Sequence, residues 1–350
     1  MILALLTIWH EKNYGAELQV YATVKILKEL GHTVKLIDLR LSDIKEQNFK
    51  GKIADFISKY SPENQKFNRF WERIECDKIR YQSVKELQNN PPMADAYIVG
   101  SDQVWNPDIT KKYANLFFLD FGADIIRRIS YASSFGVESW QHNDCTDKVA
   151  SLLQRFSYLS CRESSGVKIL REVFHRQAEH VLDPTLLFSD YSEFVKSLHE
   201  QRTLVYYPLS KDTELEDYSL NLALKLGLRA VNNNDKKLLF NKLVWDRIGI
   251  EEWVSNIAQT QFVVTRSFHG LAFSLIYNRQ FAILASRNGR GERLVSLLNK
   301  LGLSERMYEN VDALNEAKPW EKRIDYTKVN AILNEERKKS IDFLFMSLKN

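Results

Sequence analysis

Two Rossmann-like α/β domains are what this sequence predicts, and three observations carry the prediction. Short apolar runs alternate with helix-period segments through the first half, the connections between them are short, and the pattern starts afresh near residue 203 after a polar stretch. Strand, helix and strand joined by short loops form the parallel crossover unit. A chain of 350 residues also exceeds one comfortable core and suits two domains.

The elements follow in order. Residues 2–8 read as a buried first strand, since the start lacks the basic segment and small-residue cleavage site of a leader. Residues 15–30 read as a helix with Ala16, Val20, Thr23, Val24, Leu27 and Leu30 on its buried face, and 33–37 as the next strand. The charged stretch 41–86 has helical character and reads as a surface insertion. Further strands are expected at 96–99, 128–132, 158–161 and 179–182, with helices at 147–156 and 164–173. Residues 191–202 look polar and helical. The second half repeats the logic, with strands at 203–207, 228–231, 262–265 and 281–285. Its helices are expected at 213–226, 250–258, 269–277 and 291–301, followed by a long amphipathic helix over 326–348. The expected division is a first domain over 1–195, a second over 203–325, and a tail helix over 326–350 that packs back on the first. Two open parallel sheets facing each other leave a cleft lined by the carboxyl ends of their strands.

Composition narrows the function classes. An apolar share of 44% with 27% charged residues belongs to a soluble globular chain, and no run of about 18 apolar residues is present to span a membrane. Cys76, Cys145 and Cys161 are far apart, which argues against a disulfide framework or structural zinc and for a reducing cytoplasm. The net charge of +4 is interleaved rather than striped, so nucleic acid is not an expected partner. The mild basic excess suits an acidic small substrate or peripheral contact with an anionic membrane surface. The sequence is silent on oligomeric state.

Several strand-to-helix junctions carry polar groups. In HEKNYGAELQ, Asn13 caps a helix and Gly15 permits a tight turn; alternatively, Asn13, Tyr14 and Gly15 offer an open helix start to an anion or sugar. The glycine fingerprint of dinucleotide enzymes is missing here, so Asp38 reads as a turn acid rather than a ribose ligand. In YIVGSDQVWN, Gly100 is followed by Ser101, Asp102 and Gln103, which suit either a turn or an acceptor contact; Trp105 either anchors the loop or stacks on a sugar ring. In SCRESSG, Arg162 is either a cleft arginine that grips a carboxylate or phosphate, or half of a surface pair with Glu163. Cys161 has no adjacent histidine and reads as a buried, inert thiol. Asp183–Pro184 is a turn signal first.

The junction VVTRSFHGLAF draws most attention. Arg266, Ser267 and His269 fall where an apolar strand hands over to a helix, and a bound polyanion would favour the protonated imidazole that a helix start disfavours. Such a group can move protons near neutral pH. Downstream, Arg287, Arg290 and Arg293 surround two glycines ahead of another helix, an arrangement suited to an anion. No metal-ligand spacing occurs near these residues.

Together, NYGAELQVYA, VGSDQVWNP, RRISYASSFG, SCRESSGVKIL, VLDPTLL, EEWVSNIAQTQFVVTRSFHG and SRNGRGERLVSLLNKLGL resemble the polysaccharide pyruvyl transferase family, in order, from about residue 8 to 303. The resemblance implies a GT-B-like arrangement of the two domains with the active site in the interdomain cleft, the acceptor on the first domain and the donor on the second. It also implies phosphoenolpyruvate as co-substrate with no resident cofactor. The acceptor it implies is a sugar, two of whose hydroxyls close a cyclic pyruvate ketal; the leading expectation is a hexose of a lipid-linked surface polysaccharide precursor. His269 matches the family's catalytic histidine and Arg162 its donor-binding arginine, while Arg287, Arg290 and Arg293 compete for a third basic position. One departure stands out: the family's arginine two residues before the histidine is Ser267 here, which leaves the donor role of Arg266 open. The competing expectations are a GT-B glycosyltransferase using a nucleotide sugar and a non-catalytic sugar-binding protein of the same fold.

Overall fold

The computed structural model describes residues 1–39, 61–239, 244–286 and 291–349, and these divide into two compact units. The first comprises Met1–Glu46, Ile74–Phe188 and Leu333–Asn350; the second comprises Gln47–Arg73 and Ser189–Ile332. No helix among the described residues is long and apolar enough to cross a membrane.

The first unit is built on β1 (Ile2–Leu6), β2 (Thr33–Asp38), β3 (Asp77–Arg80), β4 (Ala96–Val99) and β5 (Arg127–Ser130), all parallel, in the order β3-β2-β1-β4-β5. Parallel bridges from Ile129 to Tyr158 and from Ser133 to Cys161 carry the ladder on to β6 (Ser160–Cys161), which pairs with β7 (Glu179–His180). This is the doubly wound strand order, which reverses direction between β1 and β4 and opens a crevice at their carboxyl ends. The central strands are apolar on both faces because helices cover both, as the fully buried Leu3–Leu6 and Ala96–Val99 runs require. The helix Tyr14–Glu29 is buried from Tyr14 through Val24. Residues Leu333 onward of the last helix, Tyr326–Ser347, pack with this unit: Ser340 Oγ accepts from the Leu182 N–H at 2.9 Å, and Phe343 lies 6.3 Å from the Tyr131 ring.

In the second unit, β8 (Thr203–Tyr207), β9 (Arg229–Asn232), β12 (Phe262–Thr265), β13 (Gln280–Leu284) and β14 (Met307–Tyr308) form a parallel sheet in the order β14-β13-β12-β8-β9. The hairpin β10 (Lys236–Leu239) and β11 (Val244–Arg247) stands apart from it. Here the order reverses between β8 and β12, so the crevice rule points to the carboxyl ends of those two strands.

Several expectations need correction. The stretch expected as a helical insertion contains edge strand β3 and the short helix Val84–Asn89, and its helix Pro62–Glu72 belongs with the second unit; residues 41–60 of it lie outside the described residues. That helix is no surface ornament: Phe67 and Phe70 are fully buried, and Arg247 lies 4.7 Å over the Phe67 ring and 2.7 Å from Glu63. Charge at its exposed positions hid an apolar i, i+3 pair. Residues 191–202 hold only a single turn, Ser192–Phe194, rather than a helix. The hairpin β10–β11 and the two-residue β14 carry no clear alternation and were not expected.

Candidate active site

At the carboxyl edge of the second unit's sheet, each residue of TRSFHG has a separate task. Thr265 Oγ1 donates to the Tyr207 carbonyl at 2.8 Å, which locks β12 to β8, and accepts from the Ser267 N–H at 3.0 Å. Ser267 is the N-cap of the helix Phe268–Ile276, its hydroxyl accepting from the Gly270 N–H at 3.3 Å. A Cβ at Gly270 would meet Thr265 Cγ2 at 2.8 Å, so only glycine lets the helix start this close to the strand. His269 therefore sits in the first turn, 7% exposed, with its ring edge-on to Phe268 at 5.3 Å between centroids. Ser267, standing where the family keeps an arginine, uses its hydroxyl to start this helix.

Arg266 is also corrected. Its Nε donates to Asp212 Oδ2 at 2.8 Å, one Nη to Glu214 and the other to the Ala285 carbonyl. Three directions of the guanidinium fork are thus taken by the protein, which leaves it to tie β12 to the start of the helix Thr213–Leu226 and to the end of β13 rather than to hold a donor. Asp212 also caps that helix through the Leu215 N–H at 3.2 Å. Among the three downstream arginines, Arg287 and Arg290 lie outside the described residues. Arg293 enters the first turn of the helix Glu292–Leu301, its guanidinium carbon 5.9 Å from the centroid of the Phe268 ring, one residue from His269.

The carboxyl edge of the first unit gathers the other set. Arg162, which follows β6, is fully buried; its Nη1 donates to Asp183 at 2.8 Å and its Nη2 to Asp102 at 2.8 Å. Burial alone would lower its pKa, but Asp102, Asp183 and Glu163 more than offset that and raise it. The surface pair with Glu163 is corrected: both side chains are wholly buried, and Glu163 accepts from the N–H groups of Phe135 at 2.9 Å and Gly136 at 3.3 Å. Arg162 is committed to two carboxylates, a role its spacing did not reveal.

The acceptor candidates behave unevenly. Asn13 caps its helix by accepting from Gly15 and Ala16 N–H groups at 3.0 and 3.3 Å, while Tyr14 and Gly15 are buried. Asn13 thus serves as the cap of this helix. Ser101 is buried and donates to Asp183 at 2.9 Å, and its carbonyl accepts from Thr7. Asp102 holds φ +74°, Gln103 accepts from Asn106 Nδ2 at 3.2 Å, and a Cβ on Gly136 would collide with the Gln103 side chain at 2.2 Å. Trp105 is corrected outright: fully buried, its Nε1 donates to the Phe117 carbonyl at 3.0 Å and its ring stacks on Phe118 at 5.4 Å, leaving no face for a sugar. Trp105→Phe should cost about 1–3 kcal/mol in denaturant unfolding, from the lost hydrogen bond and the space left by the smaller ring.

Positive φ recurs along this edge, at His10 and Lys12 after β1, Asp102 after β4, and Ala132 after β5. Strained backbone of this kind costs about 1–3 kcal/mol per residue and collects where a site is shaped. Asp183, read first as part of an Asp183–Pro184 turn, belongs to the network with Ser101 and Arg162, and its Oδ1 accepts from the Thr185 hydroxyl at 2.7 Å. Asp38 is buried and paired with Arg80 at 2.9 Å. Cys161 is fully buried; burial, with the Glu163 carboxylate, pushes its thiol well above the ordinary value, away from nucleophilic use. Among the described residues no group of three metal-ligating side chains is placed to hold an ion.

The family profile described as polysaccharide pyruvyl transferase matches residues 13–288. The chain belongs to that family. Its members' name marks them as transferases that act on polysaccharide, and the match spans both strand edges described above. No curated protein matches the chain. Solved structures share its fold over nearly the whole length. A UDP-N-acetylglucosamine 2-epimerase from Rickettsia bellii is 8% identical with a TM-score of 0.53, covering 99% of each chain. UGT89C1 of Arabidopsis thaliana complexed with UDP-L-rhamnose is 12% identical with a TM-score of 0.52, covering 98% of this chain and 97% of its own. A glycosyltransferase from Rickettsia africae is 11% identical with a TM-score of 0.50, covering 100% and 98%. At such identities the likeness is one of fold, that of GT-B glycosyltransferases and epimerases with two Rossmann-like domains.

Proposed function

We propose that this pyruvyltransferase takes phosphoenolpyruvate as donor and closes a cyclic pyruvate ketal across two hydroxyls of a hexose in a lipid-linked polysaccharide precursor, on the cytoplasmic side of a membrane that it contacts peripherally. The observation that carries the reading is His269 in the first turn of a helix at the reversal point of the second unit's sheet, one residue from a Phe268 ring that Arg293 overlies. His269 gives a proton to C3 of the donor while the first sugar hydroxyl bonds to C2 and surrenders its own proton. The C2–O bond then breaks and phosphate leaves with its electron pair. The second hydroxyl bonds to C2, loses its proton and closes the ketal, so that one inorganic phosphate is released per ketal formed. Arg293 supplies the positive charge that a carboxylate- and phosphate-bearing donor requires. Phosphoenolpyruvate is consumed as a co-substrate, and no step calls for a resident cofactor.

The test is mass spectrometry of lipid-linked hexose glycans incubated with the chain and phosphoenolpyruvate. A pyruvyl increment with stoichiometric phosphate is expected. Glycosyl transfer from a nucleotide sugar with no pyruvyl increment would overturn the reading in favour of a glycosyltransferase. Donor binding without turnover on any acceptor would favour a sugar-binding protein.

A further inference from the structure

A second concavity opens at the other end of the same sheet. In the parallel register, Thr265 lies beside Tyr207 and Ile283 at the carboxyl edge, whereas Phe262 lies beside Leu204 and Gln280 at the amino edge. The cleft at the amino edge measures about 350 Å³ and is lined by residues that include Leu228, Phe262, Trp320, Arg279, Arg323 and Glu200. Three rises of about 3.3 Å along β12, from Phe262 to Thr265, separate it from the His269 edge.

Its chemistry is uneven in a way that suggests an occupant. Leu228, Phe262 and the half-buried Trp320 make an apolar wall, and two arginines face one carboxylate. Arg279 is held in place by its backbone, whose carbonyl accepts from the Tyr326 hydroxyl. Its side chain is only 13% exposed, and Nη1 donates to Glu200 at 3.0 Å. The Nε–H of Arg279 is buried and meets no acceptor among the described residues. A buried donor left so costs about 1–3 kcal/mol, which favours a small shift of the Arg279 side chain towards an acceptor in the cleft. Glu200, being half exposed, can turn to water when an anion arrives.

We propose that this cleft is a second binding site, separate from the His269 edge, for a small oxyanion carried on a planar ring, with the acidic group on Arg279 and Arg323 and the ring against Trp320, Leu228 and Phe262. The volume lies near the lower end of the range for ligand sites, about 300–1,000 Å³, and suits one ring and one acidic group.

Isothermal titration calorimetry on the full chain tests this with phenyl phosphate, benzoate and inorganic phosphate. Phenyl phosphate or benzoate should bind at least about tenfold more tightly than inorganic phosphate. Whichever of the two binds better identifies the acidic group. Arg279→Gln should weaken that binding about tenfold or more, and Arg293→Ala, at the opposite sheet edge, should leave it unchanged. Inorganic phosphate binding as tightly as both ring compounds would overturn the proposal, as would affinity that survives Arg279→Gln. Loss of binding in Arg293→Ala alone would assign the ligand to the His269 edge and reject this cleft. Should Arg279→Gln fail to fold by thermal melting, the exposed Arg323→Gln makes the same comparison, and unchanged affinity there rejects the site. None of these outcomes depends on pyruvyl transfer, so the two readings fail separately.

Discussion

His269→Ala should lower pyruvyl transfer about a hundred- to ten-thousandfold and leave the chain folded. The first part follows from the chemistry: a hydroxyl cannot add to C2 of an enol phosphate unless C3 receives a proton, and a positioned acid is worth that factor. The second follows from local architecture. The turn that presents residue 269 is held by the Ser267 hydroxyl on the Gly270 N–H, by Thr265 on the Tyr207 carbonyl and by the close approach of Gly270 to Thr265, none of which uses the imidazole. Truncation removes a ring packed against Phe268 but no cap. Turnover measured in deuterated water gives a second readout, because the product methyl should carry one deuteron in the wild type. Near-normal turnover in the variant, with that deuteron still delivered, would remove His269 from the acid role.

Why the position of this histidine was legible and the partners of the arginines were not is a matter of range. The tasks in TRSFHG are local: a cap, a glycine and a strand end lie within six residues, so periodicity and turn chemistry locate His269 without knowing the topology. The same holds for β4, β8 and β12, whose apolar runs read directly as buried parallel strands. Partner choice is not local. Arg162 meets Asp102 and Asp183 because β4, β5, β6 and β7 stand side by side, a relation that only the strand order supplies. Arg266 finds Asp212 and Glu214 across a similar gap, 54 and 52 residues back in the chain. Ser267 shows the converse: a residue that looked like a missing charge is the cap that an arginine at that position could not provide. Trp105 illustrates a further limit, since an amphipathic ring beside a glycine turn reads equally as a platform or an anchor until its burial is known.

Arg162→Ala should destabilise the first unit by about 3–5 kcal/mol, the usual consequence of removing one partner from a buried ion pair. The guanidinium is wholly buried, as is Asp183, while Asp102 is 17% exposed. Without Arg162, the buried Asp183 carboxylate loses its cationic partner, and the part-buried Asp102 loses the guanidinium at 2.8 Å. Arg162→Lys should recover only part of the loss, because a single ammonium cannot reproduce one nitrogen on Asp183 and another on Asp102. Pairing Arg162→Met with Asp183→Asn should cost less than the two singles added together, since the second change neutralises the charge that the first one strands. Denaturant unfolding followed by far-ultraviolet circular dichroism measures all five variants, the two singles of the pair included. The family resemblance would have Arg162 grip the donor, and that role makes a different prediction: weaker affinity for phosphoenolpyruvate with an unaltered unfolding midpoint. A midpoint that does not move in Arg162→Ala would therefore return the residue to the donor. A midpoint that falls with the expected coupling to Asp183 makes Arg162 a positioning residue, one that holds the Ser101–Asp102 turn in shape while the positive charge for the donor comes from elsewhere.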